Sequence, residues 1–408
     1  MKKTLFLISL VFLSLQKVDA QGFQVNFQGQ KQQAMGCAGS AKYLDGSAMF
    51  FNPGAAAFAT ENSINLATTP IFARVMYVDS ATQQPYRTNS PVGTPFSAYG
   101  LFGLKKLEQL KFGIAAYTPF GSTVSYEEGW IGRFALTRLQ LKAIFIQPTV
   151  SYKINEKLGV GAGFVLSTGD VVLQKDIPVQ FEDGTFASAK LSGKALGFGY
   201  NLGVSYKATD KLTLGLNYRS QVNMDLNDGN AEFTVPDGLR DKFPNGKFVG
   251  SLPLPQVATL GIAYDISDKW ETVLDVNFVG WKAYDTLAFD YETNTESLTD
   301  TKSARNYKNI FAFRAGAAYK ISDVFSLRFG GGYGFSPVQS GFVTPETPDA
   351  NRGYGTFGIS YSPGKHFSLD ASFYYTQVKR SDINQETNLS GTFSTKAVAP
   401  GLALIYKW

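Results

Sequence analysis

Cysteine and histidine are almost absent from this sequence. Its 408 residues include one cysteine, Cys37, and one histidine, His366, which lies in the turn-like stretch "SPGKHFS". A single cysteine excludes an intramolecular disulfide. A single histidine in a turn gives no basis for a metal cluster or a histidine-dependent catalytic triad. We therefore expect no enzyme activity, no metal site and no cofactor, and we expect Cys37 to pack as a small hydrophobic residue.

Long apolar runs are also absent after residue 20. No later stretch approaches the roughly 18 to 20 apolar residues of a transmembrane helix. The first twenty residues, "MKKTLFLISLVFLSLQKVDA", combine a basic start, an apolar run and a small residue at Ala20. This pattern predicts a secretory signal peptide, residues 1–20, that is cleaved before Gln21. An uncleaved anchor helix is the alternative, but its apolar run is short for a membrane span.

Runs of one charge are missing as well. The formal net charge is +5, and the lysines and arginines are scattered along the chain. Nucleic acid is therefore not an expected partner.

What the sequence does contain is aromatic residues, glycine and strict alternation. It has 33 Phe, 21 Tyr and 41 Gly. In "KALGFGYNLGVSYK" every second residue is apolar, and the residues between them are small or polar. Period-two alternation predicts a β-strand. A soluble sandwich would cover the apolar face with a second sheet, whereas a membrane barrel turns that face to lipid and leaves no sheet edge unpaired. The predicted outward residues are Leu196, Phe198, Tyr200, Leu202, Val204 and Tyr206.

The same alternation recurs often enough to predict an all-β fold: a fourteen-stranded antiparallel transmembrane barrel over residues 61–408. Short turns rich in Asn, Asp, Gly and Lys alternate with longer loops, as in outer-membrane barrels. The longest loop is predicted near 223–248, and the chain ends in an alternating aromatic strand, "APGLALIYKW". The predicted strands are 62–78, 95–104, 110–119, 137–154, 157–177, 190–207, 211–222, 249–266, 269–290, 304–321, 323–335, 352–362, 365–381 and 391–408.

Residues 21–60 precede the first predicted strand and contain "MFFNPGAAAF", which is too apolar for a surface loop. A barrel of fourteen strands has a lumen too wide for its own side chains to fill. We therefore predict that residues 21–60 form an N-terminal hatch inside the lumen. Its central residues are predicted to be Phe51, Asn52, Pro53 and Gly54. The alternative is a disordered periplasmic tail, which the phenylalanines argue against.

Several ordered blocks resemble the FadL/TodX family of outer-membrane transporters for hydrophobic compounds. These blocks are "GFQVNFQGQKQQAMGCAGSAKYLDGSAMFFNPGAAAF", "PFGSTVSYEEGWIGRFALTRLQLKAIFIQPTVSYKINEKLGVGAGF", "ATDKLTLGLNYRS", "ISDKWETVLDVNFVGWKAYDTL" and "SLRFGGGYGFSPV…PDANRGYGTFGISY". One departure is Gly54, which stands where the family usually has alanine. The resemblance implies a hatch-plugged barrel that binds long-chain fatty acids or aromatic hydrocarbons. It also implies sideways release beside a kinked third strand, here "LKFGIAAYTPFGS", where Pro119 and Gly121 are expected to disturb pairing. The alternative is that this strand simply ends there at a loop.

A fatty-acid carboxylate needs a cationic partner, and arginine is the natural one. Alternation places Arg219, Arg314 and Arg328 on the inner face, which makes them candidate substrate-binding residues. The alternative is that they pair with carboxylates of the hatch or lumen such as Asp45. Arg133 and Arg352 lie in family-like blocks at loop bases and are expected to hold loops or the hatch in place.

The predicted function is outer-membrane transport of hydrophobic small molecules by a monomer that contacts outer-membrane lipid. A rival from another class is a platform or secretion accessory that uses the same barrel to bind protein partners. Long polar loops would favour that role, but the mixed loop near 223–248 does not decide between them. A porin for polar solutes is disfavoured by the predicted hatch.

Overall fold

The computed structural model describes residues 22–408, so the predicted signal peptide lies outside the described residues. Twenty β-strand segments form one antiparallel sheet. They are β1 (Ser63–Thr68), β2 (Phe72–Asp79), β3 (Pro85–Arg87), β4 (Phe96–Leu104), β5 (Leu107–Ser125), β6 (Arg138–Lys153), β7 (Leu158–Gln180), β8 (Phe186–Lys207), β9 (Leu212–Arg219), β10 (Val222–Thr234), β11 (Gly246–Leu254), β12 (Val257–Ser267), β13 (Trp270–Val279), β14 (Thr286–Tyr291), β15 (Thr301–Ala304), β16 (Ile310–Lys320), β17 (Phe325–Gly334), β18 (Arg352–Tyr361), β19 (Phe367–Ile383) and β20 (Ser390–Lys407).

The twenty segments make fourteen barrel strands, because six of the barrel strands are each interrupted once and so consist of two segments. The interrupted pairs are β1 with β2, β3 with β4, β9 with β10, β11 with β12, β13 with β14, and β15 with β16. The barrel closes where β1 pairs with β20, from Ser63 opposite Lys407 to Thr68 opposite Leu402. The predicted fourteen-stranded antiparallel barrel is confirmed, and the sandwich alternative is wrong because the sheet closes on itself.

The two faces of the sheet follow the predicted alternation. On β8, Phe198 is 58% exposed and Leu202 is 46% exposed, whereas Asn201 is fully buried and Ser205 nearly so. Large apolar residues exposed in this regular way suit a surface that meets lipid hydrocarbon. Within residues 22–408, no helix is long and apolar enough to cross a membrane.

Turn lengths differ between the two ends of the barrel. Short turns join β4 to β5, β6 to β7 and β12 to β13, whereas residues 126–137, 235–245 and 335–351 form longer connections. Both chain ends of the barrel lie at the short-turn end, where the amide of Asn62 donates to the carbonyl of Trp408 at 3.2 Å. The loop predicted near 223–248 is shorter than expected, because its first and last parts belong to β10 and β11.

The N-terminal segment, residues 22–60, contains three short helices: α1 (Gln30–Ala34), α2 (Ala48–Phe51) and α3 (Pro53–Ala56). All residues of these helices are buried. The segment approaches the barrel strands so closely that glycines are needed at the contact. A Cβ on Gly316 would lie 2.4 Å from Met35, and a Cβ on Gly54 would lie 2.6 Å from the carbonyl oxygen of Gly203. That the segment closes the lumen as a hatch stays a prediction.

Candidate functional site

A cavity of about 670 Å³ lies between the N-terminal segment and one side of the barrel wall. Apolar side chains form most of its lining. They come from the N-terminal segment, from β2, β4, β5, β6 and β20, and from the chain between β1 and β2 and between β3 and β4. The apolar lining residues include Phe23, Phe27, Ile71, Val75, Val92, Phe96, Phe120, Val124, Leu141, Ala143, Ile144, Ala397 and Ala399.

The barrel wall is interrupted beside this cavity. The ladder between β4 and β5 ends where Ser97 pairs with Tyr117. Backbone contact resumes only where the amide of Asn89 donates to the carbonyl of Ser125 at 2.8 Å. On the other side of β5, the register with β6 shifts between Tyr117 and Phe120, so that two residues bulge out of the ladder.

The two residues predicted to disturb pairing lie at this interruption. Pro119 is one of the two bulged residues, and a proline has no N–H to give to a ladder. Gly121 lies two residues further along β5 and lines the cavity. Both faces of β6 also line the cavity, since buried Leu141 and exposed Lys142 each contribute. The cavity therefore reaches from the inner face of the barrel towards its outer face. Lateral release at this place stays a prediction.

The start of the N-terminal segment bonds directly to the interrupted part of β5. The amide of Val25 donates to the carbonyl of Pro119 at 2.8 Å, and the amide of Gly121 donates to the carbonyl of Phe23 at 3.2 Å. Gln24 forms an isolated antiparallel bridge with Phe120. Backbone groups of β5 that have no partner in the barrel wall thus form hydrogen bonds to the N-terminal segment inside the barrel. This satisfies the requirement that buried polar groups be hydrogen-bonded.

Aromatic rings pack around this contact. The ring centroid of Phe23 lies 4.8 Å from that of Trp281, 5.8 Å from that of Tyr284 and 6.2 Å from that of Phe120, in edge-to-face arrangements. Trp281 is fully buried in a 3₁₀ turn that interrupts the strand between β13 and β14. Such pairs stabilise beyond simple area burial, so the first residues of the N-terminal segment are held on two sides.

One end of the cavity is polar and contains Asp349. Its carboxylate accepts from the amide of Gly22 and from the hydroxyl of Ser336, both at 3.0 Å. Burial raises the pKa of Asp349 to about 6, and the neighbouring Arg352 opposes that shift. The other carboxylate of this end, Glu346, forms a 2.8 Å ion pair with Arg305.

Arg352 is the arginine that lines the cavity. Among the described residues, its buried Nε atom has no hydrogen-bond partner. Arg352 was expected to hold a loop or the hatch in place, and that expectation stays a prediction. Alternation also places it on the inner face with Thr356 and Ser360 of the same strand. The inward position of Arg352 in this alternation was the sequence signal that could have identified it as a cavity residue.

The three arginines predicted to bind substrate lie elsewhere. Arg219 and Arg314 border a void of only about 10 Å³. The guanidinium of Arg219 lies 3.8 Å from the ring centroid of Phe50, and Arg314 donates to the carbonyl of Cys37 at 3.2 Å.

Arg328 donates to Ser360, whose hydroxyl donates to Asp370. Asp45, named as an alternative partner for these arginines, lies 4.0 Å from Lys31. Substrate binding by the three arginines stays a prediction.

Asn52 is the most connected of the predicted hatch residues. Its side-chain nitrogen donates to the carbonyls of Ser40 at 2.7 Å and Val204 at 2.9 Å. Its side-chain oxygen accepts from the amide of Gly54 at 2.9 Å and caps α3, whose first residue is Pro53. Asn52 therefore joins two parts of the N-terminal segment to β8.

The closed barrel, with apolar side chains on its outer face and an apolar cavity beside an interrupted wall, has the architecture of an outer-membrane β-barrel protein. The family described as "Outer membrane protein transport protein (OMPP1/FadL/TodX)" has a sequence model that matches residues 11–408. The chain belongs to this family, and it is an outer-membrane protein. Within residues 22–408, no group of three or more His, Cys, Asp or Glu residues could hold a metal ion.

Individual relatives agree with this assignment. A putative outer membrane protein of Neisseria meningitidis is 25% identical over all of this chain and 99% of its own length. The long-chain fatty acid transport protein of Escherichia coli is 20% identical over 94% of this chain and 95% of its own length.

Two solved structures share the fold. A Pseudomonas aeruginosa FadL homologue has a TM-score of 0.81 at 19% identity, covering 95% of this chain and 99% of its own. The P. putida toluene transporter TodX has a TM-score of 0.73 at 18% identity, covering 93% and 98%.

Proposed function

We propose that this protein carries hydrophobic small molecules, such as long-chain fatty acids or aromatic hydrocarbons, across the outer membrane through the cavity described above. The observation that carries this proposal is the position of the cavity. It lies beside the wall interruption at Pro119 and is lined by both faces of β6. Its volume, about 670 Å³, is within the usual range for small-molecule sites. The substrates named for the E. coli and P. putida relatives, fatty acid and toluene, fit an apolar cavity of this kind.

Lateral release follows from the energetics of an apolar solute. Each buried methylene group is worth about 0.8 kcal/mol relative to water. A long acyl chain that left the cavity through an aqueous pore would lose that stabilisation for every methylene group. An exit between the chain preceding β4 and the bulged part of β5 would pass the solute to lipid without rewetting it.

In this proposal the N-terminal segment is the hatch. Its buried helices pack against the inner sides of β6, β7 and β8 and of β17, β18 and β19. Its first residues occupy the unpaired backbone groups of β5. The segment would then close the aqueous path and border the lateral one at the same time.

Arg352 would bind the carboxylate of an acidic substrate. It lines the cavity and has an unpartnered Nε atom among the described residues. Arginine to carboxylate hydrogen bonds are among the stronger ones in proteins. An aromatic hydrocarbon needs no such partner and would use the apolar lining alone.

A titration with a fluorescent fatty acid tests the proposal. Purified wild-type protein should bind saturably, with micromolar or tighter affinity. Ala397→Trp should weaken binding, because the larger side chain would occupy the cavity that Ala397 lines. Leu402→Trp is the matched control, since Leu402 lies on the same strand and is 55% exposed on the lipid side. Absence of saturable binding to folded protein would contradict transport and favour the partner-binding platform.

A further inference from the structure

Cations cluster on the outward face of four neighbouring strands. Arg74 of β2 lies directly opposite Lys396 of β20. Residues that lie side by side on neighbouring strands, with their side chains on the outer face, form a row. The next row towards the loops contains Lys379 of β19 and Arg87 of β3. All four side chains are exposed. We call Arg74, Arg87, Lys379 and Lys396 the basic patch.

The basic patch has no internal counter-charge. Among residues 22–408, no carboxylate oxygen lies within 4.0 Å of a side-chain nitrogen of these four residues. Glu127 comes near Arg87, but its carboxylate accepts from the backbone amide of that residue at 3.0 Å. Like charges placed directly opposite each other destabilise a sheet. Repulsion among the four cations of the patch is therefore unfavourable, and binding of an external anion would relieve it.

The adjoining outward rows of β19, β20, β2 and β3 are neutral. One row nearer the short-turn end, and one row nearer the loops, the register contains only uncharged residues. They are Tyr375, Val398 and Phe72 in the first row, and Ser381, Thr392, Val78 and Pro85 in the second.

Other outward lysines near the loop end of the barrel have an acidic neighbour. Lys190 of β8 forms a 3.0 Å ion pair with Glu232 of β10. Lys142, Asp170 and Lys194 lie in one row of β6, β7 and β8, so that a carboxylate separates the two lysines. In the two rows of the basic patch, by contrast, no carboxylate side chain lies on β19, β20, β2 or β3.

The height of the patch places it at the outer edge of the apolar band. Lys396 is ten residues from Tyr406, the outward aromatic residue near the short-turn end of β20. Ten strand residues span about 33 Å, or about 25 Å along the membrane normal at a tilt of about 40°. The outward residues between them include Leu402 and Leu404, which are 55% and 49% exposed. The ammonium of Lys396 lies 5.7 Å from the ring centroid of Tyr375, an aromatic of the kind that marks this interface.

We propose that the basic patch binds the phosphate groups of a phosphorylated outer-leaflet lipid. Phosphate is the anion that a membrane presents at this depth, and arginine matches its geometry. A lipid fits better than free phosphate, because Phe72 and Val398 in the adjoining row offer an apolar surface to acyl chains. The bound lipid would lie on the outer side of β2 and β20, whose inner residues Val75 and Ala397 line the cavity.

Binding of bis-phosphorylated lipid A to the full-length protein in detergent tests this site, measured by native mass spectrometry. The variant Arg74→Gln/Lys379→Gln/Lys396→Gln removes three charges of the patch. The matched control, Lys157→Gln/Lys211→Gln/Lys269→Gln, removes three exposed charges at the short-turn end. We expect the patch variant to bind lipid A at least about tenfold more weakly than wild type. The control should bind as wild type does.

Three outcomes would overturn the proposal. They are equal lipid A affinity in patch variant and control, equal affinity of wild type for dephosphorylated lipid A, and displacement of lipid A by inorganic phosphate at equal concentration. Heat-modifiable gel mobility confirms that each variant is a folded barrel before binding is measured. No transported substrate is used, so the result is independent of the proposed transport function.

Discussion

At the scale of single residues, Arg352 separates two classes of substrate. Arg352→Gln should weaken binding of a fatty acid roughly tenfold to a hundredfold, because a hydrogen bond to a charged group contributes about 1.5 to 3 kcal/mol. Binding of toluene should not change, since it has no carboxylate. Competition titrations against a fluorescent fatty acid measure both affinities. Arg328→Gln is the comparison variant, because Arg328 does not line the cavity. A larger loss of fatty-acid affinity in Arg328→Gln than in Arg352→Gln would support the prediction from sequence that Arg328 binds substrate.

The arginines show how far single residues can be predicted from sequence. Alternation predicts which side chains face inward, and it does so for Arg219, Arg314 and Arg328. It does not show what occupies the interior opposite them, which depends on how the N-terminal segment packs. Phe50 covers Arg219, and the carbonyl of Cys37 accepts from Arg314. These contacts join residues more than 160 positions apart, and no local pattern encodes them.

At the scale of elements, the contact between the N-terminal segment and β5 is the one most open to test. Val25→Pro removes the N–H that donates to the carbonyl of Pro119 at 2.8 Å, whereas Val25→Ala keeps it. Losing one such bond costs on the order of 1 kcal/mol. The amide of Gly121, which bonds to Phe23, should then exchange with solvent about fivefold faster in Val25→Pro than in Val25→Ala.

Hydrogen exchange followed by mass spectrometry measures the exchange rate of the Gly121 amide. The peptide that contains Gly121 should change, and peptides from β16 and β17, on another part of the barrel, should not. Equal exchange of the Gly121 peptide in the two Val25 variants would show that the bond seen between residues 25 and 119 does not hold the segment to the wall.

The elements themselves were largely predictable, and their interruptions were not. Period two identifies a strand and its faces, so the number of barrel strands and the outward residues of β8 were predicted correctly. The break between β11 and β12 has a local signal in Pro255, which cannot donate to a ladder. The break between β13 and β14 lacks such a proline; there Trp281 turns inward to pack on Phe23, a contact 258 positions away in sequence.

At the scale of the whole molecule, Asp349 makes stability depend on pH. Burial raises its pKa from 3.8 to about 6. The folded protein therefore binds more protons than the unfolded chain between about pH 4 and pH 6, and the free energy of unfolding falls as pH rises through this window. Two pKa units correspond to about 3 kcal/mol at most. Above pH 6 the contribution of Asp349 no longer changes.

Comparing wild type with Asp349→Asn isolates this effect, because asparagine does not titrate. Urea unfolding in lipid vesicles at pH 4 and pH 7 should show wild type losing stability relative to the variant as pH rises. Asp183→Asn is the matched control, since hydrogen bonds from Thr185 lower the pKa of exposed Asp183 from 3.8, so that this carboxylate titrates below pH 4. There, wild type should not lose stability relative to the variant between pH 4 and pH 7. Parallel pH curves for wild type and Asp349→Asn would show that the carboxylate is not buried beside Gly22 in the folded barrel.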